Sequence, residues 1–305
     1  MSEPIAFLAG QWLPVSQTAV SVYDTGFMLG VTVAEQLRTF GGKLFQLDRH
    51  LDRLARSLAI VGVDAGMARA EFERTAKELT ARNHALLEPA DDLGLTIFVT
   101  PGAHPAFAGL ARQSGPLVGM HTQPLPFGTW AAKYETGDQL VVTSVRQVPD
   151  ACWPPELKCR SRMHYYLADR EARERVAGAR ALLVDERGFV TEASTANLLI
   201  HRAGEGLVSP PRERVLPGIS MAVVHDLAGK LAIPFSERDL LPAEVAAADE
   251  VLLCSTSPCV WSVTRLDGRP ITDGRPGPIC RRLQAAWSEL VGLDIVAQAR
   301  RFARR

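Results

Sequence analysis

The chain has 305 residues, enough for one large domain or two of medium size. Its 34 basic and 34 acidic residues cancel, which argues against nucleic acid or a membrane surface as the main partner. Its five cysteines are odd in number and lack metal-type spacing, which favours free thiols in a reducing compartment. The first residues lack a signal-peptide pattern and no apolar run could span a bilayer, so we expect a cytoplasmic protein.

The first 122 residues alternate between strand and helix patterns. Gly41-Gly42 separates two strand-like runs, 31–40 and 43–47, and is a two-residue hairpin signal. Asp48 can begin a helix whose apolar stripe, Leu51, Leu54, Ala55 and Leu58, ends near Gly62. The remaining elements predicted here are a helix over 68–87 and strands over 93–100 and 117–122.

Residues 123–137 contain two prolines and two glycines without periodicity, which predicts a linker between domains 1–122 and 138–305. In the second domain, strands outnumber the helices that a doubly wound fold would need. No Gly-rich dinucleotide-binding motif follows the first strand. The pattern predicts an α+β chain in two domains. The second domain's predicted strands are 139–145, 181–185, 189–192, 197–201, 250–254 and 260–266, and its helices are 161–176, 219–231 and 278–291.

Lys158 lies between a Pro-rich loop and a helix start, where a lysine is usually a solvated surface residue. Its neighbours weaken that reading. Leu157 favours partial burial, and the cationic Arg160 and Arg162 are close. Burial and nearby positive charge both favour the neutral, nucleophilic amine that forms a Schiff base.

Four further features are ambiguous when taken singly. The turn Leu216–Ser220 opens a helix and could expose the N–H groups of Ile219 and Ser220 to an anion, or simply cap that helix. Ser255–Ser257 places three hydroxyls at a strand end, although a loop that satisfies its own backbone is the simpler interpretation. Glu192 ends a strand and Arg53 lies off its helix's apolar stripe, so each by itself indicates a surface residue.

Taken in order, these segments resemble a known family, over roughly residues 5–290. The segments that carry the resemblance are Asp24–Gly26, Gly30, Glu35–Arg38, Gly42–Leu54, Leu157-Lys158, Arg170–Ala172, Asp185–Gly188, Thr191–Ser194, Asn197-Leu198, Leu216–Ser220, Ala248–Val251, Ser255–Ser257 and Gly277-Pro278. The family is that of the class IV aminotransferases, or fold-type IV pyridoxal 5′-phosphate (PLP) enzymes. It includes branched-chain and D-amino-acid aminotransferases and aminodeoxychorismate lyase.

The resemblance implies a role for each candidate. Lys158 would hold PLP as a Schiff base and act as the general base, and Glu192 would pair with the pyridine nitrogen. Leu216 would pack against the ring. The phosphate would be bound by Arg53, Ile219, Ser220 and Thr256. The fold implied is a small α+β N-terminal domain and a larger pseudo-barrel C-terminal domain with PLP between them, in a homodimer.

The substrate side departs from the family pattern. D-amino-acid aminotransferases bind the substrate carboxylate with an arginine and a histidine, whose matching positions here are Ala106 and Ala108. Ala34 replaces the aromatic residue that usually precedes the strand glutamate. Arg160 and Arg162 are candidates for the missing cation, and Ser257 is a further candidate for substrate binding.

Two enzyme readings remain open, with transamination preferred. Glu35 and Thr256 resemble aminotransferase members, whereas Arg162 stands where the lyase often has arginine. The lyase would convert aminodeoxychorismate to 4-aminobenzoate and pyruvate. A non-catalytic dimeric scaffold is the alternative from another class. The sequence does not determine whether the amino donor is an L-amino acid, a D-amino acid or an amine.

Overall fold

A computed structural model describes residues 3–110 and 115–304. The chain divides into two compact units. Unit 1 comprises Met1–Leu125 and Leu157–Ser161, and unit 2 comprises Pro126–Glu156 and Arg162–Arg305. Unit 1 therefore takes a short segment from the middle of the predicted second domain. Residues 123–137, predicted as a linker, hold the end of a strand and a helix over Phe127–Thr136.

Unit 1 is a six-stranded antiparallel sheet with two long helices. Its strands are β1 (Ile5–Leu8), β2 (Gln11–Pro14), β3 (Val33–Phe40), β4 (Lys43–Leu44), β5 (Leu93–Thr100) and β6 (Leu117–Pro124). Its helices are α1 (Thr25–Met28), α2 (Leu47–Val61) and α3 (Arg69–His84). The spatial order is β2-β1-β6-β5-β3-β4.

The core of unit 1 follows from side-chain alternation on the strands. Val33 and Leu37 on β3 and Leu95, Ile97 and Val99 on β5 project from one face of the sheet, and pack with the apolar stripes of α2 and α3. The predicted hairpin is present, since β3 and β4 pair antiparallel on either side of Gly41-Gly42.

Unit 2 is built on a nine-stranded sheet. Its helices are α4 (Phe127–Thr136), α5 (Met163–Arg175), α6 (Ile219–Lys230), α7 (Pro242–Ala246), α8 (Pro278–Val291) and α9 (Ile295–Arg301). Its strands are β7 (Asp138–Val142), β8 (Arg180–Val184), β9 (Val190–Ala193), β10 (Ala196–Arg202), β11 (Gly206–Ser209), β12 (Phe235–Glu237), β13 (Glu250–Ser255), β14 (Cys259–Leu266) and β15 (Arg269–Pro270).

The central strands of unit 2 close into a ring. They follow the order β10-β13-β14-β7-β8-β9, and β9 pairs back onto β10 through Ala193 and Ala196. Closure removes the exposed edges that an open sheet would present. The pseudo-barrel expected for this half of the chain is therefore confirmed. In the part of the chain that the structure describes, no helix is both long and apolar enough to cross a membrane.

Candidate active site

Lys158 is buried in unit 1, with 8% of its surface exposed. Its peptide is held on two sides: its N–H donates to Ser57 Oγ at 3.2 Å, and its carbonyl accepts from the Ala34 N–H at 3.1 Å. Two residues further on, the Arg160 N–H donates to the Thr32 carbonyl at 2.8 Å. Residues Leu157–Ser161, called here the lysine segment, thus extend the sheet beside β3, which is why this segment belongs to unit 1.

Arg53 is also buried, contrary to the surface position that its place off the apolar stripe indicated. The reason is a carboxylate on the neighbouring strand. Arg53 Nε donates to Glu35 Oε1 and Arg53 Nη2 to Glu35 Oε2, both at 2.8 Å, and His50 Nδ1 lies 2.7 Å from Glu35 Oε2. Burial opposes ionisation of Glu35, yet Arg53 and His50 hold its pKa well below the ordinary value.

In unit 2 Glu192 lies at the end of β9 and is buried rather than solvent-facing. Tyr165 donates its hydroxyl to Glu192 Oε1, and Gln147 Nε2 donates to the same oxygen at 3.0 Å. Asn197 Nδ2 lies 3.5 Å from Oε2. Burial raises the pKa of Glu192, against the opposing effect of these hydrogen bonds and of the Arg162 charge. A cationic N–H donor would relieve the cost of ionising this carboxylate.

Asn197 joins Glu192 to the turn before α6. Its Nδ2 donates to the Leu216 carbonyl at 2.9 Å. A side chain at Gly218 would place its Cβ 1.9 Å from Asn197 Oδ1, so this contact requires glycine at that position. Helix α6 begins directly afterwards at Ile219 and no side chain caps its first turn. Ile219 and Ser220 therefore open a helix whose N-terminal dipole favours an anion.

Thr256 and Ser257 lie in the tight turn between β13 and β14, which pair from Ser255 to Cys259. Because β13 also pairs with β10 at Asn197, this turn lies at the same end of the barrel as the residue that contacts Glu192 and Leu216. Unit 2 thus brings together Glu192, Leu216 and the two predicted loops.

The predicted substrate residues have different surroundings. Arg160 is exposed on unit 1, two residues beyond Lys158. Arg162 precedes α5 in unit 2, where its charge acts on Glu192 and Tyr165. Ala106 and Ala108 are exposed in a short turn, Pro105–Leu110, that contains no charged residue.

Residues that contact the predicted site but were not singled out as site residues from the sequence include Glu35, His50, Gln147 and Asn197. Two of them had a recognisable signal. His50 stands three residues before Arg53, so the two share a helix face. Glu35 is the charged residue at an inward position of β3, between Val33 and Leu37. Gln147 gave no such signal, because its contact with Glu192 joins segments far apart in the chain. Asn197 had only its place in the family motif Asn197-Leu198, which did not indicate its contact with Leu216.

Comparison with known proteins identifies the family. The model of the family described as amino-transferase class IV matches residues 32–266, most of the chain. The chain belongs to the class IV aminotransferases. It is therefore an enzyme, a transaminase, and its family is PLP-dependent.

Named relatives agree with this class IV assignment. A D-alanine aminotransferase of Bacillus licheniformis is 30% identical over 91% of this chain and 93% of its own length. A D-alanine aminotransferase of Staphylococcus aureus (strain N315) is 28% identical over 93% of this chain and 97% of its own length. These relatives are named as transaminases, and none of the relatives and structures compared here is named as a lyase.

Solved structures confirm the fold-type IV architecture. The branched-chain amino acid aminotransferase of Escherichia coli superposes with a TM-score of 0.85 at 22% identity, over 95% of both chains. The T.th. branched-chain amino acid aminotransferase with pyridoxamine 5′-phosphate gives 0.83 at 23% identity, over 96% of this chain and 95% of that one. At such identities the likeness establishes the fold alone.

Proposed function

We propose that this class IV aminotransferase binds PLP covalently through Lys158 and moves an amino group between an amino acid, or an amine, and a 2-oxo acid. The observation that carries the proposal is the buried Lys158 whose peptide is fixed on both sides. A buried amine is more easily kept neutral than one in water, and only the neutral amine is nucleophilic.

The other predicted residues fit the remaining parts of PLP. Glu192 offers a buried carboxylate to a protonated ring nitrogen. Leu216 lies beside it and would pack against the ring. Arg53, Thr256 and the opening residues of α6, Ile219 and Ser220, supply a cation, a hydroxyl and N–H groups suited to the phosphate. Bound PLP supplies a ring that withdraws electrons from the substrate α-carbon.

Lys158 has a second task in this proposal. With PLP and substrate bound, its Nζ would also move a proton to and from the substrate α-carbon. Both tasks need the amine in one position, and the hydrogen bonds of its peptide to Ser57 and Ala34 provide that restraint.

For the substrate, we propose only its chemical class. The relatives are named for D-alanine and for branched-chain amino acids, both of which carry an α-carboxylate. Since Ala106 and Ala108 cannot bind a carboxylate, Arg160, Arg162 and Ser257 are the proposed contacts. A panel of L-amino acids, D-amino acids and simple amines, followed by loss of the visible cofactor band, tests this part. A response to none of them would contradict it.

The cofactor assignment is tested by Lys158→Ala. We expect the wild-type protein to be yellow and to retain PLP after reduction with borohydride and denaturation, and Lys158→Ala to retain none. Lys230→Ala removes an exposed lysine and should behave as wild type. Borohydride-stable PLP in Lys158→Ala would show that another residue holds the cofactor.

We also propose a homodimer in the cytoplasm. Several large apolar side chains are exposed within residues 20–29 of unit 1, namely Val20, Val22, Phe27, Met28 and Leu29. An exposed apolar surface on a folded unit is typical of a region covered by a partner. All five cysteines are thiols rather than members of disulfides, which suits a reducing compartment.

A further inference from the structure

One side of helix α2 carries a line of polar residues that is buried. His50, Arg53 and Ser57 are spaced three and four residues apart, so they face the same direction. Their exposed fractions are 0%, 3% and 0%. Buried polar groups are costly unless each has a partner. Here the partners are Glu35 of β3 for the first two and the Lys158 peptide for the third.

Glu35 holds the Arg53 guanidinium in one orientation. Two parallel hydrogen bonds, both of 2.8 Å, fix the plane of the guanidinium. His50 Nδ1, at 2.7 Å from Oε2, fixes the carboxylate in turn. His50 Nε2 is buried and has no hydrogen-bond partner among the described residues, so the contact with Glu35 is the polar contact that places this ring.

Ser57 acts on the lysine from the same helix. Its Oγ accepts the Lys158 N–H at 3.2 Å, while β3, the strand that carries Glu35, donates the Ala34 N–H to the Lys158 carbonyl at 3.1 Å. The α2–β3 pair therefore fixes both Arg53 and the Lys158 backbone.

We infer that Glu35, His50 and Ser57 are positioning residues that set the separation between the phosphate-binding Arg53 and the cofactor-binding Lys158. The inference rests on the proposed function. In PLP the phosphate arm and the aldehyde are attached to adjacent ring atoms, so their separation varies little. Arg53 and Ser57 are one helical turn apart, with Cβ atoms about 6 Å from each other. Helix α2 thus holds Arg53 and Ser57 at a fixed spacing, which suits the nearly constant separation between the phosphate and the aldehyde of PLP.

The first test separates position from charge. Glu35→Asp keeps the carboxylate but shortens it by one methylene, so the contacts to Arg53 and His50 cannot all be kept. We measure the affinity of the cofactor-free protein for PLP and for pyridoxal, which lacks the phosphate. Glu35→Asp should weaken PLP about tenfold and leave pyridoxal unchanged.

The matched control is Glu250→Asp, which shortens a buried carboxylate of unit 2 that accepts the N–H groups of Ile279 and Cys280. It should lower stability and leave the ratio of PLP to pyridoxal affinity at the wild-type value. A folded Glu35→Asp protein with the wild-type ratio would overturn the inference.

A second pair of variants guards against misfolding of Glu35→Asp. His50→Asn keeps a side-chain N–H near the position of Nδ1, whereas His50→Leu removes it. We expect His50→Leu to lose several-fold of the preference for PLP over pyridoxal and His50→Asn to recover it. Equal ratios in both variants and in wild type would contradict the role of His50.

Ser57→Ala should affect PLP and pyridoxal equally, unlike the variants of Glu35 and His50. The rate at which PLP and pyridoxal become trapped on Lys158 by borohydride should fall several-fold for both compounds, since the phosphate is not involved. Thr80→Val, which removes a buried hydroxyl without a hydrogen-bond partner among the described residues, is the control and should leave both rates unchanged. Unchanged rates in Ser57→Ala would overturn its role. If wild type bound neither compound, the proposed function itself would fail.

Discussion

Glu35 and Glu192 are two buried glutamates whose surroundings drive their pKa values in opposite directions. Burial disfavours the charged form of each. Glu35 overcomes this with a bidentate arginine and a histidine, so its pKa falls. Glu192 is hydrogen-bonded by the neutral Tyr165 and Gln147, and its pKa rises. One carboxylate is satisfied within the protein, whereas the other is suited to a cationic ligand.

The raised pKa of Glu192 predicts that this residue lowers the free energy of unfolding of the cofactor-free enzyme at neutral pH. A carboxyl whose folded pKa is raised favours folding below the unfolded pKa, near 4.5, and this contribution is lost as pH rises through the folded value. Glu192→Gln should therefore increase the free energy of unfolding at pH 7, on the order of 1 kcal/mol, while lowering transaminase activity.

Urea unfolding of the cofactor-free proteins at pH 7 and at pH 4 checks this prediction. The advantage of Glu192→Gln over wild type should be present at the higher pH and shrink at the lower one, where most of the Glu192 carboxyl is protonated in both states. An advantage that grew as pH fell would contradict the assigned direction of the shift.

Glu35 predicts the opposite pH dependence. A carboxyl whose folded pKa is lowered stabilises the fold above its unfolded pKa, near 4.5, and the contribution declines as pH falls below that value. Burial lowers the pKa of His50, so this histidine adds a loss of stability as pH falls below 6.5, the ordinary pKa of a histidine. We expect the stability deficit of Glu35→Gln, measured by urea unfolding, to be larger at pH 7 than at pH 3. A deficit independent of pH would contradict this.

At the level of elements, helix α2 has an apolar face that packs in the core and a polar face that carries residues of the proposed site. Leu47, Leu51, Leu54 and Leu58 join the core of unit 1, while His50, Arg53 and Ser57 contact β3 and the lysine segment. The helix ends at Gly62, which adopts φ +67° and whose N–H bonds back to Ala59. That backbone conformation suits glycine and terminates the helix.

A pair of glycine substitutions tests the cap of α2. No atom lies within 4 Å of a Cβ at Gly62, so Gly62→Ala should cost about 1 kcal/mol of stability through backbone strain alone. Gly229 in α6 is equally open but does not adopt a positive φ. Gly229→Ala should therefore stabilise the protein by about 0.5 to 1 kcal/mol. Thermal or urea unfolding checks both, and equal effects would contradict the backbone argument.

At the level of the whole molecule, each unit has its own sheet and its own buried residues, and the predicted site residues are divided between them. Lys158 and Arg53 belong to unit 1, and Glu192, Leu216, Ile219, Ser220 and Thr256 belong to unit 2. Because the chain has no net charge, long-range repulsion does not oppose self-association. The exposed apolar residues between Val20 and Leu29 are the proposed place for it.

The proposed dimer predicts a specific effect of Phe27→Asp. Phe27 is 71% exposed, so a charge there should be tolerated by the fold but would be buried in an interface. We expect light scattering to show a dimer for wild type and a monomer for Phe27→Asp. Leu290→Asp, at an exposed apolar residue of α8, should remain dimeric. A wild-type monomer would contradict the proposal.

The sequence alone determined the family and the fold class. Strand 93–100 and helix 278–291 have their predicted bounds in the structure, because periodicity and flanking residues are local signals. The order of short motifs led to the class IV aminotransferases, since many modest matches in one order rarely arise by chance. The roles of Lys158, Glu192 and Arg53 came from that same resemblance and stay predictions.

Only the tertiary structure decided what surrounds those residues. Arg53 looked exposed because helix periodicity does not reveal a carboxylate on a neighbouring strand. Gln147 and Tyr165 meet Glu192 from segments 45 and 27 residues away, and Ser57 meets the Lys158 peptide across 101 residues. Such contacts depend on how strands and helices pack, and this packing cannot be predicted from the spacing of residues along the sequence. The setting of Lys158 beside β3 is therefore a property of the fold.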